Sequence, residues 1–296
     1  ARQKLNMFMN VYQKKNRLMS IQIKKQSGEI VPFDKKSLCR SLVNSGAAQN
    51  DADEICNIIT KEIYNGISTK ELYEKAFSLL KNLKSSVAAR YSLKRALQDL
   101  GPEGFFFEKW VAKIFEVQGY DTITSQTLTG KSTINHEVDV IISNKKEDII
   151  CECKFRNDID AKISVTTPMY FLSRFIDLKE NNFTFFNRSF KPQKGYLITN
   201  AFFTTDSIAF AECYDINLIS WNYPENQSIK LLTDSHGLYP ITCLTTLTKE
   251  EEQKLLSKNC ILVRELIKNP VLLDHFKFSK KRKELILKEA VELLQK

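Results

Sequence analysis

The chain has 296 residues, 43% of them hydrophobic, so it can form packed cores and a wholly disordered protein is excluded. Its length suits two or three domains rather than one. Lysine and arginine (44) outnumber aspartate and glutamate (35) by nine; segments 1–104 and 243–296 are basic and segment 105–242 is slightly acidic. This distribution suits a metal-using centre between surfaces that attract a polyanion, although ordinary solvated charge would give the same counts.

Two further features exclude other classes of protein. No apolar run approaches the roughly 18 residues of a membrane-spanning helix, and the polar, basic first 20 residues lack the apolar core of a secretory signal. The seven cysteines lie mostly in apolar runs, which is typical of reduced cysteines that pack as small hydrophobic side chains. The three histidines stand apart from the cysteines, so a zinc site is not indicated. We therefore expect a cytoplasmic protein.

The first block of the chain predicts a hairpin followed by helices. Apolar residues alternate around a Ser-Gly turn within 21–33, and the spacing becomes helical after Asp34, which occupies an N-cap position. Further helices are predicted over 51–65, 69–83 and 85–99. The run Gly101-Pro102-Glu103-Gly104 predicts a boundary, so we expect a basic extension over 1–20 and a first domain over 21–102.

Alternating strands and helices follow between residues 105 and 242, which predicts a mixed central sheet. The expected elements are an amphipathic helix over 105–118, strands over 138–142 and 149–155, a helix at 167–180, a strand at 195–199, a helix at 204–213 and a strand at 216–221. From 243 to 296 the pattern predicts helices alone. The expected fold class is therefore α/β, with a small, mostly helical α+β domain before the mixed sheet and a short all-α tail after it.

The strongest chemical signal is Val138-Asp139-Val140 followed by Ile149-Ile150-Cys151-Glu152-Cys153-Lys154-Phe155. Residues two apart in a strand share a face, so Glu152 and Lys154 project together while the two cysteines point the opposite way. A hairpin between the two segments would bring Asp139 beside them. Two carboxylates at a sheet edge suit Mg²⁺, and the lysine could position or deprotonate a water molecule. The alternative interpretation is a surface hairpin with a solvated Glu–Lys pair.

These residues, with Glu108 on the preceding helix, resemble the PD-(D/E)xK nuclease superfamily, and most closely its Mrr-type restriction endonuclease branch. The resemblance covers roughly 105–222. Its further elements are Gly119-Tyr120, a strand ending in Thr199-Asn200, the pair Phe203-Thr204 and an alanine-rich helix. The resemblance implies a restriction-endonuclease-like core over 105–242.

The resemblance also implies roles for single residues. Asp139, Glu152 and the main-chain carbonyl of Cys153 would hold Mg²⁺ or Mn²⁺. Lys154 would act on the attacking water, and Glu108 would assist from the helix.

Four residues around this motif have weaker implied roles. His136 and Glu137 stand where many relatives have glycine-rich residues. They could touch substrate, but a capping or core role is the simpler interpretation. Thr199 and Asn200 are expected to order the sheet edge rather than to take part in the chemistry.

Four separated segments of the first block resemble the ATP-cone, a small nucleotide-sensing domain of ribonucleotide reductases and of their transcriptional repressor. They are 23–28, 32–34, 64–69 and 88–95. The resemblance implies a hairpin that closes over a triphosphate, with ATP or dATP as effector. The implied nucleotide-binding residues are Lys24, Lys25, Gly28, Phe33, Lys36 and Arg90. Gln26 and Ser37 replace the usual arginine and lysine, which leaves open a degenerate cone that only dimerises or faces DNA.

The tail from Leu247 resembles paired helix–hairpin–helix units, which contact DNA phosphates without reading sequence. The usual hairpin glycines are missing. DNA contacts would come from Lys280, Lys281, Arg282 and Lys283, and a solvated helix start is the alternative interpretation of that run.

Together these resemblances predict a cytoplasmic, Mg²⁺-dependent DNA endonuclease of the restriction or defence type, regulated by ATP or dATP. A homodimer or higher oligomer is expected because it would match two-fold-symmetric DNA. Two alternatives stay open: a non-catalytic, nucleotide-responsive DNA-binding regulator, and a structure-selective repair nuclease.

Overall fold

The structure is a computed structural model that describes residues 21–25, 27–101 and 104–295. The chain divides into two compact units, the first ending at Tyr91 and the second beginning at Ser92. Segment 92–101, which the sequence assigns to the first domain, therefore lies with the second unit. The predicted basic extension over 1–20 lies outside the described residues.

The described part of the first unit, residues 21–25 and 27–91, combines a small sheet with four helices. Its elements are β1 (Gln22–Lys24), β2 (Ile30–Pro32), α1 (Lys35–Asn44), α2 (Gln49–Glu62), β3 (Ile67–Ser68), α3 (Thr69–Leu83) and α4 (Ser85–Tyr91). Strand β1 is central, antiparallel to β2 and parallel to β3. As predicted, Asp34 caps α1 by accepting a hydrogen bond from the amide of Lys36.

The core of the first unit lies between the apolar faces of its helices, and Leu42, Ile59 and Leu80 are fully buried there. Cys39 of α1 and Cys56 of α2 form a disulfide across this core. The expectation that the cysteines serve only as reduced packing groups is wrong for this pair. Packing of the two helices brings positions 17 residues apart to a Cα separation of 5.9 Å, which sequence spacing does not reveal.

The second unit contains the main sheet and most of the helices. Its strands are β4 (Asp121–Thr129), β5 (Asn135–Ser143), β6 (Asp148–Lys154), β7 (Lys162–Ile163), β8 (Phe183–Phe185), β9 (Arg188–Phe190), β10 (Lys194–Thr199), β11 (Phe202–Phe203) and β12 (Ile216–Ile219). Its helices are α5 (Leu93–Gln98), α6 (Phe105–Glu116), α7 (Thr166–Leu178), α8 (Thr205–Cys213), α9 (Ile229–His236), α10 (Lys249–Ser257), α11 (Val263–Lys268) and α12 (Lys280–Leu294). Short 3₁₀ turns lie at Ile241–Cys243 and Pro270–His275.

The five-stranded sheet has the order β12-β10-β6-β5-β4. Strands β4, β5 and β6 run antiparallel, and β6, β10 and β12 run parallel, so the sheet is mixed as predicted. Helix α7 packs on the face that carries Ile141, Ile150 and Leu197. Tyr196 points to the opposite face and contacts Phe115 of α6, so helices cover both faces. The mixed α/β fold class is thereby confirmed.

Apart from short strands of two or three residues, three elements differ from the sequence-based expectation. Strand β4 was not predicted because it is a polar edge strand in which exposed residues alternate with partly buried ones, so its hydrophobic signal is weak. Helix α9 was also not predicted. The helix expected over 85–99 is two helices, and the break between them coincides with the boundary between the two compact units.

In the part of the chain that the structure describes, no helix is both long enough and apolar enough to cross a membrane. The cytoplasmic location remains a prediction.

Candidate active site

The candidate site lies where the ladder between β5 and β6 ends. The last paired residues are Val140 and Cys151, so Asp139 is directly opposite Glu152 by continuation of the register. The main-chain amide of Cys153 does not pair with a carbonyl of β5 but donates a hydrogen bond of 2.6 Å to Oδ2 of Asp139. Two carboxylates from adjacent strands therefore share one sheet face at this edge.

Glu152 is the centre of a charge cluster on that face. It is only 4% exposed, and two cations reach its carboxylate. The ammonium of Lys154 donates to Oε1, and the guanidinium of Arg174, on α7, donates to Oε2 over 2.5 Å. Cys151 and Cys153 are buried, with their sulfur atoms 3.9 Å apart. As residues of opposite parity they belong to the other sheet face.

Glu108 comes from the first turn of α6, and its Oε2 lies 3.4 Å from the hydroxyl of Ser125 on β4. Ser125 has a backbone φ of +54° and interrupts the β4–β5 pairing; its neighbours pair with Val140 and Val138, so it lies opposite Asp139 by interpolation. A left-handed conformation at a non-glycine residue inside a strand costs on the order of 1–3 kcal/mol, and such strained residues are enriched at functional sites. Ser125 thus turns the edge strand locally beside the carboxylate cluster.

The carboxylates perturb one another. Burial, reinforced by the charge of Glu152, raises the pKa of Asp139 to about 6. Burial, reinforced by the charge of Asp139, raises the pKa of Glu108 to about 7. A site in which several acids resist ionisation together favours the binding of a cation.

The donor set fits Mg²⁺ or Mn²⁺. Among the described residues, no three side chains of His, Cys, Asp or Glu come together as a complete metal cluster. Asp139 and Glu152 can each offer a carboxylate oxygen, and Mg²⁺ commonly takes one or two carboxylates, waters and a substrate phosphate. The proposed carbonyl ligand, that of Cys153, lies at the same strand end.

Thr199 and Asn200 brace the exit of the strand that carries Lys154. The hydroxyl of Thr199 donates to the carbonyl of Lys154 over 2.5 Å. The side-chain amide of Asn200 bonds both the N–H and the carbonyl of Arg156, each over 2.8 Å. Both residues are buried, and these contacts support the expected ordering role.

His136 and Glu137 differ in their surroundings. The His136 ring lies 2.7 Å from Oδ2 of Asp177, which also accepts hydrogen bonds from the hydroxyl and, through Oδ1, the amide of Ser132. These bonds fix the turn between β4 and β5 to the end of α7, so His136 has a structural role. Glu137 is exposed, and its negative charge helps to raise the pKa of Glu108.

The residues implied for nucleotide binding lie on the hairpin, α1 and α4 of the first unit. Lys24 ends β1, Gly28 forms the hairpin turn with a φ of +87°, and Lys25 pairs with Glu29 over 2.8 Å. Phe33 packs against the core, and Arg90 lies in α4. Lys36 lines a hollow of about 500 Å³ on α1 and α2, with Lys35 and Arg40 among its neighbours.

The four cations implied for DNA contact lie in the first turn of α12. Lys280 and Lys281 are exposed. Arg282 bonds Glu251 and stacks on Phe278, and Lys283 pairs with Asp274. Half of this run therefore holds tail elements together, and its DNA contact and the helix–hairpin–helix resemblance remain predictions.

Family comparisons agree with this arrangement of domains. A model described as "Restriction endonuclease", of the Mrr catalytic type, matches residues 101–222, and the ATP cone domain model matches residues 21–100. The chain belongs to the Mrr-type restriction endonuclease family. Its nuclease-family domain follows an ATP-cone, and the ATP-cone match extends past Tyr91, where the first compact unit ends, to residue 100. A third model, "AF1548-like, C-terminal", matches residues 239–294 and covers the helical tail.

The same comparisons found one curated relative and one solved structure that resemble this chain. An uncharacterized protein of Archaeoglobus fulgidus is 31% identical over 157 residues, which is 53% of this chain and 83% of the relative. The solved structure titled "Crystal Structure of Protein of Unknown Function AF1548" is 29% identical and aligns with a TM-score of 0.52. The alignment covers 64% of this chain and 97% of that one.

Sequence reasoning did not find two residues of the site, Ser125 and Arg174. Ser125 belongs to the strand whose pattern was too polar to predict. Arg174 lies 20 residues after Lys154 on a helix that was predicted, but its position facing Glu152 depends on how α7 crosses the sheet. A single arginine on a half-exposed helix gave no sequence signal.

Proposed function

We propose that this protein is a metal-dependent DNA endonuclease that hydrolyses phosphodiester bonds and serves in restriction or defence. The observation that carries the proposal is the meeting of Asp139, Glu152 and Lys154 at one sheet edge, in a domain that matches the restriction endonuclease family. Mg²⁺ is the metal that the donor set fits best, and DNA is the substrate that the family implies.

In the proposed reaction, Asp139 and Glu152 hold the metal, and the Cys153 amide orients Asp139. Bound Mg²⁺ would polarise the phosphodiester and lower the pKa of a coordinated water. The Lys154 ammonium stands beside Glu152, where it can position that water and stabilise negative charge on the phosphate. Glu108, with a pKa raised to about 7, can accept or return a proton near neutral pH.

Cleavage of supercoiled plasmid tests the nuclease. We expect the native chain with Mg²⁺ to nick or cut the plasmid, and Asp139→Asn and Lys154→Ala to reduce the rate at least about a hundredfold, which is the usual effect of removing a catalytic group. The matched controls are Asp206→Asn and Lys162→Ala, which alter an exposed acid and an exposed cation of the same unit. Equal cutting by the site variants and the controls would show that the activity lies elsewhere, and DNA binding without cutting would favour the regulator.

The same proposal assigns ATP or dATP as an effector that binds the ATP-cone. Binding to the folded state raises the unfolding temperature, so either nucleotide should stabilise the native chain. The shift should disappear in Lys25→Ala, because a hairpin cation is lost, and persist in Lys61→Ala, which removes an exposed lysine at the end of α2. If neither nucleotide changes the unfolding temperature of the native chain, the ATP-cone would be a scaffold that binds no nucleotide.

A homodimer in the cytoplasm completes the proposal. Two copies would present two sites to the two strands of a duplex. Light scattering coupled to size exclusion, with and without dATP, measures the assembly; a monomer under all conditions would contradict this part alone.

A further inference from the structure

Arg174 occupies an unusual place in the charge cluster. It lies in the middle of α7, and its side chain is 13% exposed. One guanidinium nitrogen, Nη1, donates to Oε2 of Glu152 over 2.5 Å. The guanidinium also lies over the ring of Tyr170, one turn earlier, at 5.7 Å from the ring centroid. The carboxylate and the aromatic ring therefore both contact the guanidinium and restrict where it can lie.

The contact with Glu152 uses only part of the hydrogen-bonding capacity of Arg174. A guanidinium carries five N–H donors in a planar fork. Within the described residues, the guanidinium makes no hydrogen bond other than the one to Glu152, and neither Nε nor Nη2 is a fully buried, unsatisfied atom. These donors therefore meet solvent next to the carboxylates. Tyr170 beside them is 63% exposed, so this side of the cluster is open.

The charge balance of the cluster favours an anion at this point. Asp139 and Glu152 carry two negative charges when ionised, and Lys154 and Arg174 carry two positive charges. Lys154 alone already gives Glu152 a counter-ion, so the fork of Arg174 is not needed only for neutralisation. With a divalent cation between the carboxylates, the cluster would have a net positive charge. A phosphodiester placed there would restore the balance.

We propose that Arg174 is a substrate-contacting residue whose free guanidinium donors bind a non-bridging oxygen of the DNA phosphate beside Glu152. This inference rests on the proposed nuclease function and extends it to a residue on the helix after the catalytic strand. A fixed, planar fork suits phosphate better than a flexible ammonium does. Arg174 thus connects the DNA backbone directly to the carboxylate that would hold the metal.

DNA binding without cleavage tests the contact separately from catalysis. We would measure the affinity of Asp139→Asn for a fluorescein-labelled duplex by anisotropy, without divalent ions, over a range of salt concentrations. Adding Arg174→Gln should weaken binding about tenfold at low salt and reduce the slope of log K against log salt by about 1, the loss of one phosphate contact. Lys179→Met, which removes the cation at the end of the same helix, is the matched control and is expected to affect binding less.

A second variant separates the effect of the planar guanidinium of Arg174 from the effect of its positive charge. Arg174→Lys should keep the salt slope but bind several-fold more weakly, because an ammonium makes a single-point contact. In the chain with Asp139 intact, Arg174→Gln should raise KM as well as lower kcat. An unchanged affinity and slope in Arg174→Gln, even with slower cleavage, would overturn the proposal and leave Arg174 as a positioning residue for Glu152. If Arg174→Gln does not fold, unchanged affinity in Arg174→Lys would overturn it.

The outcomes also separate this inference from the nuclease itself. If the native chain cleaves no DNA, the nuclease proposal fails, yet the salt slopes still decide whether Arg174 contacts phosphate. If the native chain cleaves DNA and Arg174→Gln binds and cleaves like the native chain, only the role of Arg174 fails.

Discussion

The amide of Cys153 donates to Oδ2 of Asp139 over 2.6 Å, at the point where backbone pairing between β5 and β6 ends. The side chain of Asp139 thus replaces the main-chain partner that the amide would otherwise need. This bond fixes the carboxylate against the strand that carries Glu152 and Lys154. The sheet itself, rather than a flexible loop, therefore holds Asp139 on β5 next to Glu152 and Lys154 on β6.

This relationship predicts opposite effects of Asp139→Asn on stability and on cleavage. Burial raises the pKa of Asp139 from 3.8 to about 6, so ionised Asp139 destabilises the folded state, and the penalty appears as pH rises through about 6. Asparagine keeps an oxygen for the Cys153 amide and carries no charge. We expect Asp139→Asn to slow cleavage at least about a hundredfold and to raise the free energy of unfolding at neutral pH by roughly 1 kcal/mol.

Chemical denaturation at acid and neutral pH measures this effect. The advantage of Asp139→Asn should shrink as pH falls from about 6 and should be lost below pH 3.8, where aspartate is protonated in both states. Asp139→Ala serves as the control, because it removes the acceptor and should cost about 1 kcal/mol relative to Asp139→Asn. A lower stability of Asp139→Asn than of Asp139→Ala would contradict the hydrogen-bond assignment.

Glu108 gives a second pH prediction. Burial, with Asp139 nearby, raises its pKa from 4.5 to about 7, so the folded state binds this proton more tightly than the unfolded state does. Its contribution to stability is present below pH 4.5 and is lost as pH rises through about 7. Glu108→Gln should therefore flatten the fall in unfolding free energy between these values. An unchanged pH profile in Glu108→Gln, compared with the exposed control Glu54→Gln, would argue against the shift.

Asn200 should matter for both stability and activity, although it has no place in the chemistry. Its amide bonds both main-chain groups of Arg156, two residues after Lys154. We expect Asn200→Ala to lower the unfolding free energy by about 2 kcal/mol, because buried groups lose their partners, and to slow cleavage by displacing Lys154. Asn217→Ala is the matched control, since that amide makes one contact of 3.4 Å in the same sheet. Equal stability and activity of the two variants would remove Asn200 from the support of the site.

Lys94 provides a test of the loop that follows the catalytic strand. Its ammonium donates to the carbonyl of Ile159 over 2.5 Å and lies 3.9 Å above the ring of Phe202. Burial lowers its pKa from 10.5 to about 8, so the unfolded state holds this proton more tightly. Stability from this residue should rise as pH increases from about 8 to 10.5. Lys94→Met should abolish that rise in denaturation experiments, whereas Lys61→Met should retain it; a persistent rise in Lys94→Met would assign it to another group.

Much of this fold and site could be predicted from local patterns in the sequence. The strand carrying Glu152 and Lys154 has near-continuous apolar flanks, and the apolar period of α6 places Glu108 in its first turn. The pairing of Asp139 with Glu152 followed from a hairpin of predicted length. Strand β4 could not be predicted, because an edge strand exposes about half of its residues and its sequence shows little contrast between apolar and polar positions.

The sequence by itself determined the three-part order of the chain, the mixed sheet and the acid–acid–lysine motif. Each of these can be recognised from apolar periodicity and residue spacing along one or two elements. Only the tertiary structure decided that Cys39 meets Cys56, that Ser125 turns opposite Asp139, and that Arg174 reaches Glu152. Those contacts depend on the angle and depth at which separate elements pack. That geometry depends on how many side chains pack together, so it cannot be recognised from the residue at any single position.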